Sequence, residues 1–274
     1  MMWRMMIPAI AGVALFAAAS YQTEIAEWRH TREENLKRDG GWLTVAGLFW
    51  LHEGANTFGR GPDNEIVLPD GPAHAGTIEL KNGKITAKID GAERELWAES
   101  LDAAKVGRLS LFVIKRSDKY AIRLKDPDSE YRRNFHGIEY FPPKEEYKVT
   151  AKWVPAPQKI PILNILGQTE PMDSPGYAVF QLQGKEYRLR PVLETADAKE
   201  LFYIFRDQTA SKETYGAGRF FYSAMPKDGQ VVLDFNKAYN PPCAFTPYAT
   251  CPLPPAENKL PLRIEAGEKK YGDH

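Results

Sequence analysis

The chain has 274 residues, enough for one large domain or two smaller ones with a substantial hydrophobic core. Hydrophobic residues make up 43% and charged residues 26%, which is the composition of a folded globular protein and argues against disorder. Lysine plus arginine equals aspartate plus glutamate, at 36 each. This neutral balance gives no reason to expect nucleic acid or an anionic membrane as a partner.

The N-terminal segment, residues 1–20, differs from the rest because it carries an uncharged apolar run that ends at Ala19. Small residues at Ala18 and Ser20 fit the −3 and −1 positions of a signal peptidase site, with cleavage before Tyr21. The run is shorter than the ~20 residues that a membrane span needs. The sequence therefore predicts a signal peptide, a secreted or periplasmic protein, and no membrane span after cleavage. An uncleaved N-terminal membrane anchor is the alternative.

A charged helix is expected in residues 21–41, after the leader. The stretch from Glu24 to Lys37 lacks Gly and Pro, and Asp39-Gly40-Gly41 supplies a helix end. Its few apolar residues allow two interpretations: a clasp packed on a sheet, or a solvated arm.

The remainder of the chain is typical of an all-β protein, because short apolar runs alternate with Gly, Asn, Asp and Pro and no long helical pattern follows. Asn82-Gly83 joins two alternating runs in the preferred two-residue hairpin turn. Further hairpins are expected at Ser117-Asp118 and at Gly184. In the C-terminal half, the pattern predicts strands at Tyr147–Val154, Ile160–Gly167, Tyr177–Leu182, Lys185–Val192, Leu201–Phe205, Arg219–Ser223 and Val231–Phe235.

Two β units are expected, with the boundary in the proline-rich and charged stretch from Pro142 to Val154. The first unit, 42–141, is predicted to be a β-sandwich. The second, 147–271, is predicted to be sandwich-like or barrel-like. One continuous fold is the alternative.

The segment FGRGPDNEIVLPDGPAHAG of the first unit resembles the core of forkhead-associated domains, which hold phosphothreonine with a Gly-Arg pair and a later Ser-x-x-His on a β-sandwich. Gly59-Arg60 and His74 are in place, but Gly71 occupies the serine position, so one phosphate donor is missing. The resemblance therefore implies sandwich geometry more than phosphopeptide binding. The alternative role for Arg60 and His74 is to brace a turn.

The sequence contains no established catalytic or metal-binding motif: it has no HExxH, G-x-S-x-G, Walker or Rossmann pattern. The Gly216–Arg219 stretch, GAGR, lacks the GK[ST] ending of a phosphate loop and opens a predicted strand instead of a helix. We expect no metal and no cofactor. A zinc site assembled from distant strands is the alternative.

A polar loop between Phe205 and Tyr222 concentrates acids, hydroxyls and a guanidinium. Arg219 could bind a carboxylate while a tyrosine or an aspartate serves as general acid or base. The alternative is an ordered structural loop in which Arg219 pairs with Asp207 or Asp234.

Both cysteines of the chain, Cys243 and Cys251, lie in a proline-rich run. The prolines restrict the backbone of this loop and of the residue before each proline. Seven residues separate the cysteines, a longer spacing than that of redox motifs or metal-binding pairs. We expect a local disulfide worth about 2–3 kcal/mol in an oxidising compartment. A metal-binding pair and a redox pair are the alternatives.

The block DFNKAYNPPCAFTPYATCPLPPAENKLPLRIEAGEK, preceded by RDQT and ETYGAGRF, resembles the C-terminal signature of the family named domain of unknown function 1684. GWLTVAGLFWLHEG, FGRGPDNEIVLP and NFHGIEYFPP are similar to its other blocks, so the resemblance runs from about Trp28 to Tyr271. It implies membership of a bacterial and archaeal family that has no established activity to carry over. The matching signature residues are Tyr215, Gly216, Arg219, Asp234, Asn236, Tyr239, Asn240, Cys243 and Cys251.

These observations predict an exported binding or structural module of the cell envelope, with an unknown small-molecule or protein ligand. The expected polar pocket lies in the C-terminal unit under the loop of the two cysteines. Its ligand-binding candidates are Arg219, Asn236, Asn240 and Asp207. The alternative is a hydrolase-like enzyme, whose catalytic candidates are Asp234, Tyr215 and His136 with Arg219 as an anion clamp.

Overall fold

A computed structural model describes residues 10–272 of the chain, with side chains from Ser20 onward. Residues 1–9 of the predicted signal peptide lie outside the described residues. The first described element is the helix α1 (Ile10–Lys37), which ends where the sequence predicts. In this part of the chain, no helix is both long and apolar enough to cross a membrane.

Helix α1 packs on the protein, so the clasp interpretation is the one that the structure shows. Tyr21 is 6% exposed, Ile25 is 0% exposed and Leu36 is 1% exposed. The Tyr21 hydroxyl donates a hydrogen bond of 2.8 Å to Asp234 Oδ1, far along the chain. After α1, Gly40 has a φ of +76°, a left-handed conformation that glycine adopts without strain and that commonly ends helices.

The N-terminal half forms two antiparallel sheets around one core, apart from a short parallel pairing of β2 with β3. The sheet orders are β1-β9-β8-β7 and β3-β2-β4-β5-β6. Their shared core includes Phe58, Ile78, Leu111 and Ile122. The strands are β1 (Val45–Trp50), β2 (Gly54–Gly59), β3 (Ile66–Val67), β4 (Gly76–Lys81), β5 (Lys84–Ile89), β6 (Ala92–Leu96), β7 (Ala104–Val106), β8 (Leu109–Arg116) and β9 (Lys119–Lys125).

The C-terminal half follows a single-turn helix, α2 (Glu130–Arg133), and contains a four-stranded sheet and a two-stranded one. Their orders are β12-β11-β10-β15 and β13-β14. Aromatic residues such as Phe180, Tyr203 and Phe221 fill the core between them. The strands are β10 (Lys148–Leu163), β11 (Thr169–Leu182), β12 (Lys185–Leu189), β13 (Glu200–Phe205), β14 (Arg219–Ala224) and β15 (Gln230–Asp234). The all-β prediction is confirmed.

The three predicted hairpin turns are present with the backbone that such turns require. Asn82 and Gly83 have φ values of 52° and 78° between β4 and β5. Ser117 (53°) turns β8 into β9, and Gln183 (52°) and Gly184 (74°) turn β11 into β12. These positive φ angles match the right-handed twist of the flanking strands.

Strand β10 differs from the prediction because the two strands expected at 147–154 and 160–167 are one element. The register with β11 shifts between Pro155 and Gln158 and then resumes. Prolines donate no hydrogen bond, so the ladder is interrupted there, but their φ is compatible with extended backbone. Opposite Pro155 stands Gly176, where an added Cβ would lie 2.4 Å from the Val154 carbonyl oxygen. The strand continues through the prolines with a shifted register instead of ending.

The segment that resembles a forkhead-associated domain forms a braced turn. Arg60 and His74 are both exposed. His74 Nδ1 lies 3.2 Å from Asn64 Oδ1, and Asn64 Nδ2 donates to the Ala73 carbonyl at 2.7 Å. The contacts match the bracing alternative for His74, whereas the role of Arg60 and the likeness to that domain as a whole stay predictions.

Direct hydrogen bonds join the two halves of the chain. Thr246 Oγ1 donates to the Val45 carbonyl at 3.0 Å, and the Ser117 backbone N–H donates to Glu170 Oε1 at 3.0 Å. The described residues therefore place one face of the N-terminal unit against the C-terminal loops, and the candidate site lies along this junction. Whether the chain folds as two separate units, as predicted for 42–141 and 147–271, stays a prediction.

Candidate functional site

A cavity of about 730 Å³ opens where the two halves of the chain meet. Its apolar lining consists mainly of aromatic and sulfur-containing side chains: Trp42, Met172, Phe202, Phe220, Tyr222, Tyr239 and Cys251. Charged side chains also line it: Arg32, Glu99, Lys115, Arg116, Glu170 and Glu194. An apolar wall with a few polar groups is the usual character of a small-molecule site.

Strands β13 and β14 supply the aromatic wall through their cross-strand pairing. Phe202 lies directly opposite Tyr222, with ring centroids 4.9 Å apart and nearly parallel planes. Phe220 meets Phe202 edge to face at 5.0 Å. The Tyr222 ring also stacks on Tyr239 at 6.2 Å. Pairs of this kind add about 0.5–1.5 kcal/mol each beyond area burial, so the wall is preformed.

A hydrogen bond and a cation–π contact at the edge of this wall fix its two tyrosines. Tyr222 donates to Glu194 Oε2 at 2.8 Å, and burial together with the neighbouring Tyr239 and Glu194 raises the pKa of Tyr222 well above its ordinary value. The Arg32 guanidinium of α1 lies 4.6 Å from the Tyr239 ring centroid. Arg32 Nε also bonds Glu268 Oε1 at 2.9 Å. Helix α1 therefore contributes directly to the cavity.

The opposite side of the cavity comes from the outer face of the sheet β1-β9-β8-β7. Arg116 Nε donates to Thr250 Oγ1 at 2.8 Å, while its Nη1 pairs with Glu99 Oε1 at 2.7 Å. The guanidinium of Arg123 lies 4.9 Å from the Trp42 ring centroid. This face brings several cations to a cavity that also contains acids.

The two cysteines lie side by side, and in the structure both are free thiols. The Cys243 backbone N–H donates to Cys251 Sγ at 3.2 Å. A hydrogen bond with Cys251 lowers the pKa of Cys243, and the same contact raises the pKa of Cys251. Cys251 lines the cavity, and it is 5% exposed. The predicted disulfide stays a prediction.

Two of the predicted ligand-binding residues form a buried ion pair. Arg219 Nη2 lies 3.2 Å from Asp207 Oδ1, and each side chain is 1% exposed. Arg219 also donates to the carbonyls of Ile264 and Ala266. Asp207 accepts a hydrogen bond from the Ile264 N–H at 2.7 Å. This ion pair joins the C-terminal segment to the polar loop. Such a pairing is the one expected if the loop is an ordered structural loop.

Asp234 and Asn236 lie together in a different network, under the start of α1. Asp234 Oδ1 accepts from Tyr21, and Asn236 Nδ2 donates to the Tyr21 hydroxyl oxygen at 2.8 Å. Burial, followed by the bond to Asp234, raises the pKa of Tyr21. Asp234 also lines a second cavity of about 450 Å³, which shares Tyr222 and Tyr239 with the first.

The remaining candidates occupy separate positions. Asn240 donates from its backbone to Glu268 Oε2 at 2.7 Å, and Tyr215 donates to the Cys243 carbonyl at 3.3 Å. His136 is exposed. Among the described residues, no hydrogen bond or ion pair links any two of the catalytic candidates Asp234, Tyr215 and His136. Within residues 10–272, no group of three or more His, Cys, Asp or Glu side chains could hold a metal ion.

Sequence reasoning did not identify the lining residues Trp42, Arg116 and Tyr222, or Arg123, whose guanidinium lies over Trp42. One signal was present in β9, where Arg123 interrupts the run YAIRLK between apolar neighbours. An arginine inside a strand of otherwise buried residues indicates a guanidinium on a covered face. The other three residues carry no local pattern that distinguishes them from core or surface positions.

Fold and cavity together define a class of protein: an all-β chain with an amphipathic cavity at the junction of its N-terminal and C-terminal sheets. The chain belongs to the family described as Protein of unknown function (DUF1684), whose model matches residues 133–269. The match is shorter than the expected resemblance from Trp28 to Tyr271. The N-terminal sheets, and with them Trp42, Arg116 and Arg123, lie outside it.

A solved structure is also similar to the chain: the solution structure of an uncharacterized protein from gene locus rrnAC0354 of Haloarcula marismortui. The two chains share 33% sequence identity, and the match covers 50% of this chain and 78% of the Haloarcula marismortui chain. The TM-score is 0.43. No curated protein matches the chain.

Proposed function

We propose that this protein is an exported binding module of the cell envelope that holds a small amphipathic ligand in the cavity between its N-terminal and C-terminal sheets. The aromatic wall carries the proposal. The rings of Phe202, Phe220 and Tyr222 are already paired with one another, so a ligand would meet an ordered apolar surface. Polar and charged groups around this surface would orient the ligand.

Binding is favoured over the hydrolase alternative because acid, base and nucleophile must lie within hydrogen-bonding reach of one another or of a common substrate. The Tyr215 hydroxyl bonds a backbone carbonyl, and Asp234 bonds Tyr21. His136 lies at the surface. Tyr215 and Asp234 are therefore hydrogen-bonded in different parts of the molecule, and His136 is exposed on its surface.

Export is the second part of the proposal. Ser20 is exposed and Tyr21 is buried, so cleavage between them would remove the leader and leave the anchored part of α1 in place. The paired positions of Cys243 and Cys251 support a disulfide once both thiols pass their hydrogens to an oxidant of the exported compartment. Intact mass of protein expressed with its native leader tests both steps. We expect loss of residues 1–20 and a mass that lacks two hydrogens. An intact N-terminus would contradict export, and a mass showing two free thiols would contradict the disulfide.

A neutral fluorescent probe tests the cavity. 1-N-phenylnaphthylamine should bind the wild-type protein, and Thr195→Trp should weaken that binding because Thr195 lines the cavity and the indole would fill it. Thr150→Trp is the matched control, since Thr150 is also an exposed threonine but lies in β10 outside the cavity lining. Equal binding by the two variants, or no binding to the wild type, would refute the proposal.

A further inference from the structure

A separate cavity of about 540 Å³, which we call the basic cavity, opens on the C-terminal half of the chain and shares no lining residue with the cavity between the two halves. Its lining contains one acid, Asp207, and four cations: Arg206, Lys212, Lys259 and Arg263. By contrast, the cavity between the two halves is lined by three cations and three acids, and the cavity of about 450 Å³ by two of each. Positive charge is therefore in excess in the basic cavity, whereas it is balanced in the other two.

The one acid of the lining does not offset this charge, because its carboxylate already has buried partners. Asp207 Oδ1 pairs with Arg219 at 3.2 Å, and each of these side chains is 1% exposed. Asp207 Oδ2 accepts from the Ile264 N–H at 2.7 Å. The Asp207 charge is thus neutralised behind the cavity wall by an arginine that does not line the cavity.

Three of the four cations have no counter-charge in the described part of the chain: Arg206, Lys212 and Lys259. The fourth, Arg263, pairs with Glu213 at 2.7 Å. Among the described residues, the ammonium groups of the two lysines also have no hydrogen-bond partner. The basic cavity therefore presents three positive charges that the surrounding protein does not compensate.

The backbone places two of these cations side by side. Arg206 and Lys259 are partners in a parallel β-bridge. The Arg206 N–H donates to the Asn258 carbonyl at 3.1 Å, and the Leu260 N–H donates to the Arg206 carbonyl at 2.8 Å. Asn258 and Leu260 are buried, so Lys259 between them projects outward. Like charges at paired positions repel each other, and an anion bound between them would relieve that repulsion.

Hydrogen bonds also fix the other supports of the cavity before any ligand binds. Arg206 Nε donates to the Gly216 carbonyl at 2.9 Å, which leaves Nη1 without a partner among the described residues. The Lys212 N–H donates to the Thr209 carbonyl at 3.3 Å, within a tight turn. Thr209 is 0% exposed, and its hydroxyl donates to Asp207 Oδ1 at 2.8 Å. Binding would therefore require little ordering of the backbone that carries the cations.

We propose that the basic cavity binds a phosphate monoester, carried by a small molecule or by a lipid headgroup. Such a group has a charge of about −1.5 to −2 at pH 7 and offers three acceptor oxygens. Guanidinium and ammonium groups are the side-chain groups that bind phosphate. A dianion gains more from three cations than a carboxylate does, because the attraction grows with the charge. The inference does not depend on the proposed function, since the two cavities are separate.

Isothermal titration calorimetry with glycerol 3-phosphate tests the site, and glycerate serves as a carboxylate monoanion of similar size. The wild-type protein should bind glycerol 3-phosphate more tightly than glycerate. Lys259→Met should weaken the binding of glycerol 3-phosphate about tenfold, because it removes one charge-assisted hydrogen bond. Lys185→Met is the matched control and should bind like the wild type, since Lys185 is also an exposed lysine without an ion pair among the described residues but lies in β12, outside the cavity lining.

A vesicle assay distinguishes the two sources of the phosphate group. Phosphatidic acid in phosphatidylcholine vesicles presents the same glycerol phosphate chemistry on a lipid surface. Binding of glycerol 3-phosphate in solution would assign the cavity to free phosphate monoesters. Co-sedimentation with these vesicles that Lys259→Met weakens, without binding in solution, would assign it to a lipid headgroup.

The remaining outcomes would overturn the proposal. These are no binding in either assay, equal affinities for glycerol 3-phosphate and glycerate, or the same affinity in Lys259→Met and Lys185→Met. The urea unfolding midpoint of Lys259→Met should equal that of the wild type, because Lys259 is exposed. If it does not, Lys212→Met is the second variant, with the same expected loss of binding. Binding of 1-N-phenylnaphthylamine should be unchanged in both variants, so failure of this site and failure of the proposed function are distinguishable.

Discussion

Arg219 and Arg123 are both buried arginines, but both Nη atoms of Arg219 bond protein groups, whereas Nε and Nη2 of Arg123 have no hydrogen-bond partner. Arg219 contacts the Asp207 carboxylate and the carbonyls of Ile264 and Ala266. Removing one partner from such a pair leaves the other as an uncompensated buried charge. The two side chains therefore have different consequences when they are truncated.

Truncation of Arg219 is predicted to destabilise the fold. Arg219→Met should lower the free energy of unfolding by about 3–5 kcal/mol, because Asp207 and the carbonyls lose their donor. Arg263→Met should cost only about 0–1 kcal/mol, since Arg263 is half exposed where it pairs with Glu213. Urea unfolding measures both values. Equal losses in the two variants would contradict the structural role of Arg219.

At the scale of the element, α1 is a clasp whose contacts begin at the predicted cleavage position. Tyr21 bonds Asp234, and Arg32 reaches both Tyr239 and Glu268. The helix therefore connects the predicted processing site to the cavity. Most helical stability in proteins comes from such packing and not from intrinsic propensity.

Helix α1 is predicted to lose its anchorage when its buried face is truncated. Ile25→Ala should lower the free energy of unfolding by about 2–5 kcal/mol, because Ile25 is 0% exposed. Gln22→Ala, on the exposed face of the same helix, should change it by no more than about 0.5 kcal/mol. Chemical denaturation of the two variants side by side provides the measurement. If Ile25→Ala behaves like Gln22→Ala, α1 is a solvated arm.

At the scale of the whole molecule, Glu268 joins distant parts of the chain. Its carboxylate accepts from Arg32 of α1 at 2.9 Å and from the Asn240 N–H at 2.7 Å, and the residue is 0% exposed. Burial raises the pKa of Glu268 above its ordinary value of 4.5. Stability should therefore depend on pH through this one group.

The sign of that dependence follows from proton binding. Between pH 4.5 and the higher pKa of the folded state, folded Glu268 holds a proton that the unfolded chain has released. Rising pH therefore favours the unfolded chain, and the contribution of Glu268 to stability falls. We predict that the unfolding free energy of the wild type, minus that of Glu268→Gln, decreases as pH rises above 4.5.

A carboxylate of opposite behaviour provides the control. The hydrogen bond from His52, at 2.7 Å, lowers the pKa of Glu65. Its contribution should be present above pH 4.5 and lost as pH falls through its lower folded-state pKa. The unfolding free energy of the wild type, minus that of Glu65→Gln, should therefore increase as pH rises toward 4.5. Urea unfolding at a series of pH values gives both free-energy differences. A difference for Glu268→Gln that increases with pH would contradict the burial of the Glu268 charge.

Local chemistry made much of this molecule predictable from the sequence. Asn82-Gly83 sets its own turn through positive φ angles, Gly40 ends α1, and alternation along the strands assigns their faces. The pairing of Arg219 with Asp207 was one of two alternatives for the polar loop, because a buried loop charge needs an opposite charge nearby.

The sequence also determined membership of the DUF1684 family, because residues 133–269 carry enough of its pattern to be matched. The cavity was decided by the tertiary structure alone. Trp42, Arg116 and Tyr222 lie in three separate parts of the chain, and each is ordinary in its local sequence. They come together only because the outer face of one sheet packs against the loops and strands of another. Such a cavity is a property of that packing, because residues far apart in the chain must come together to line it.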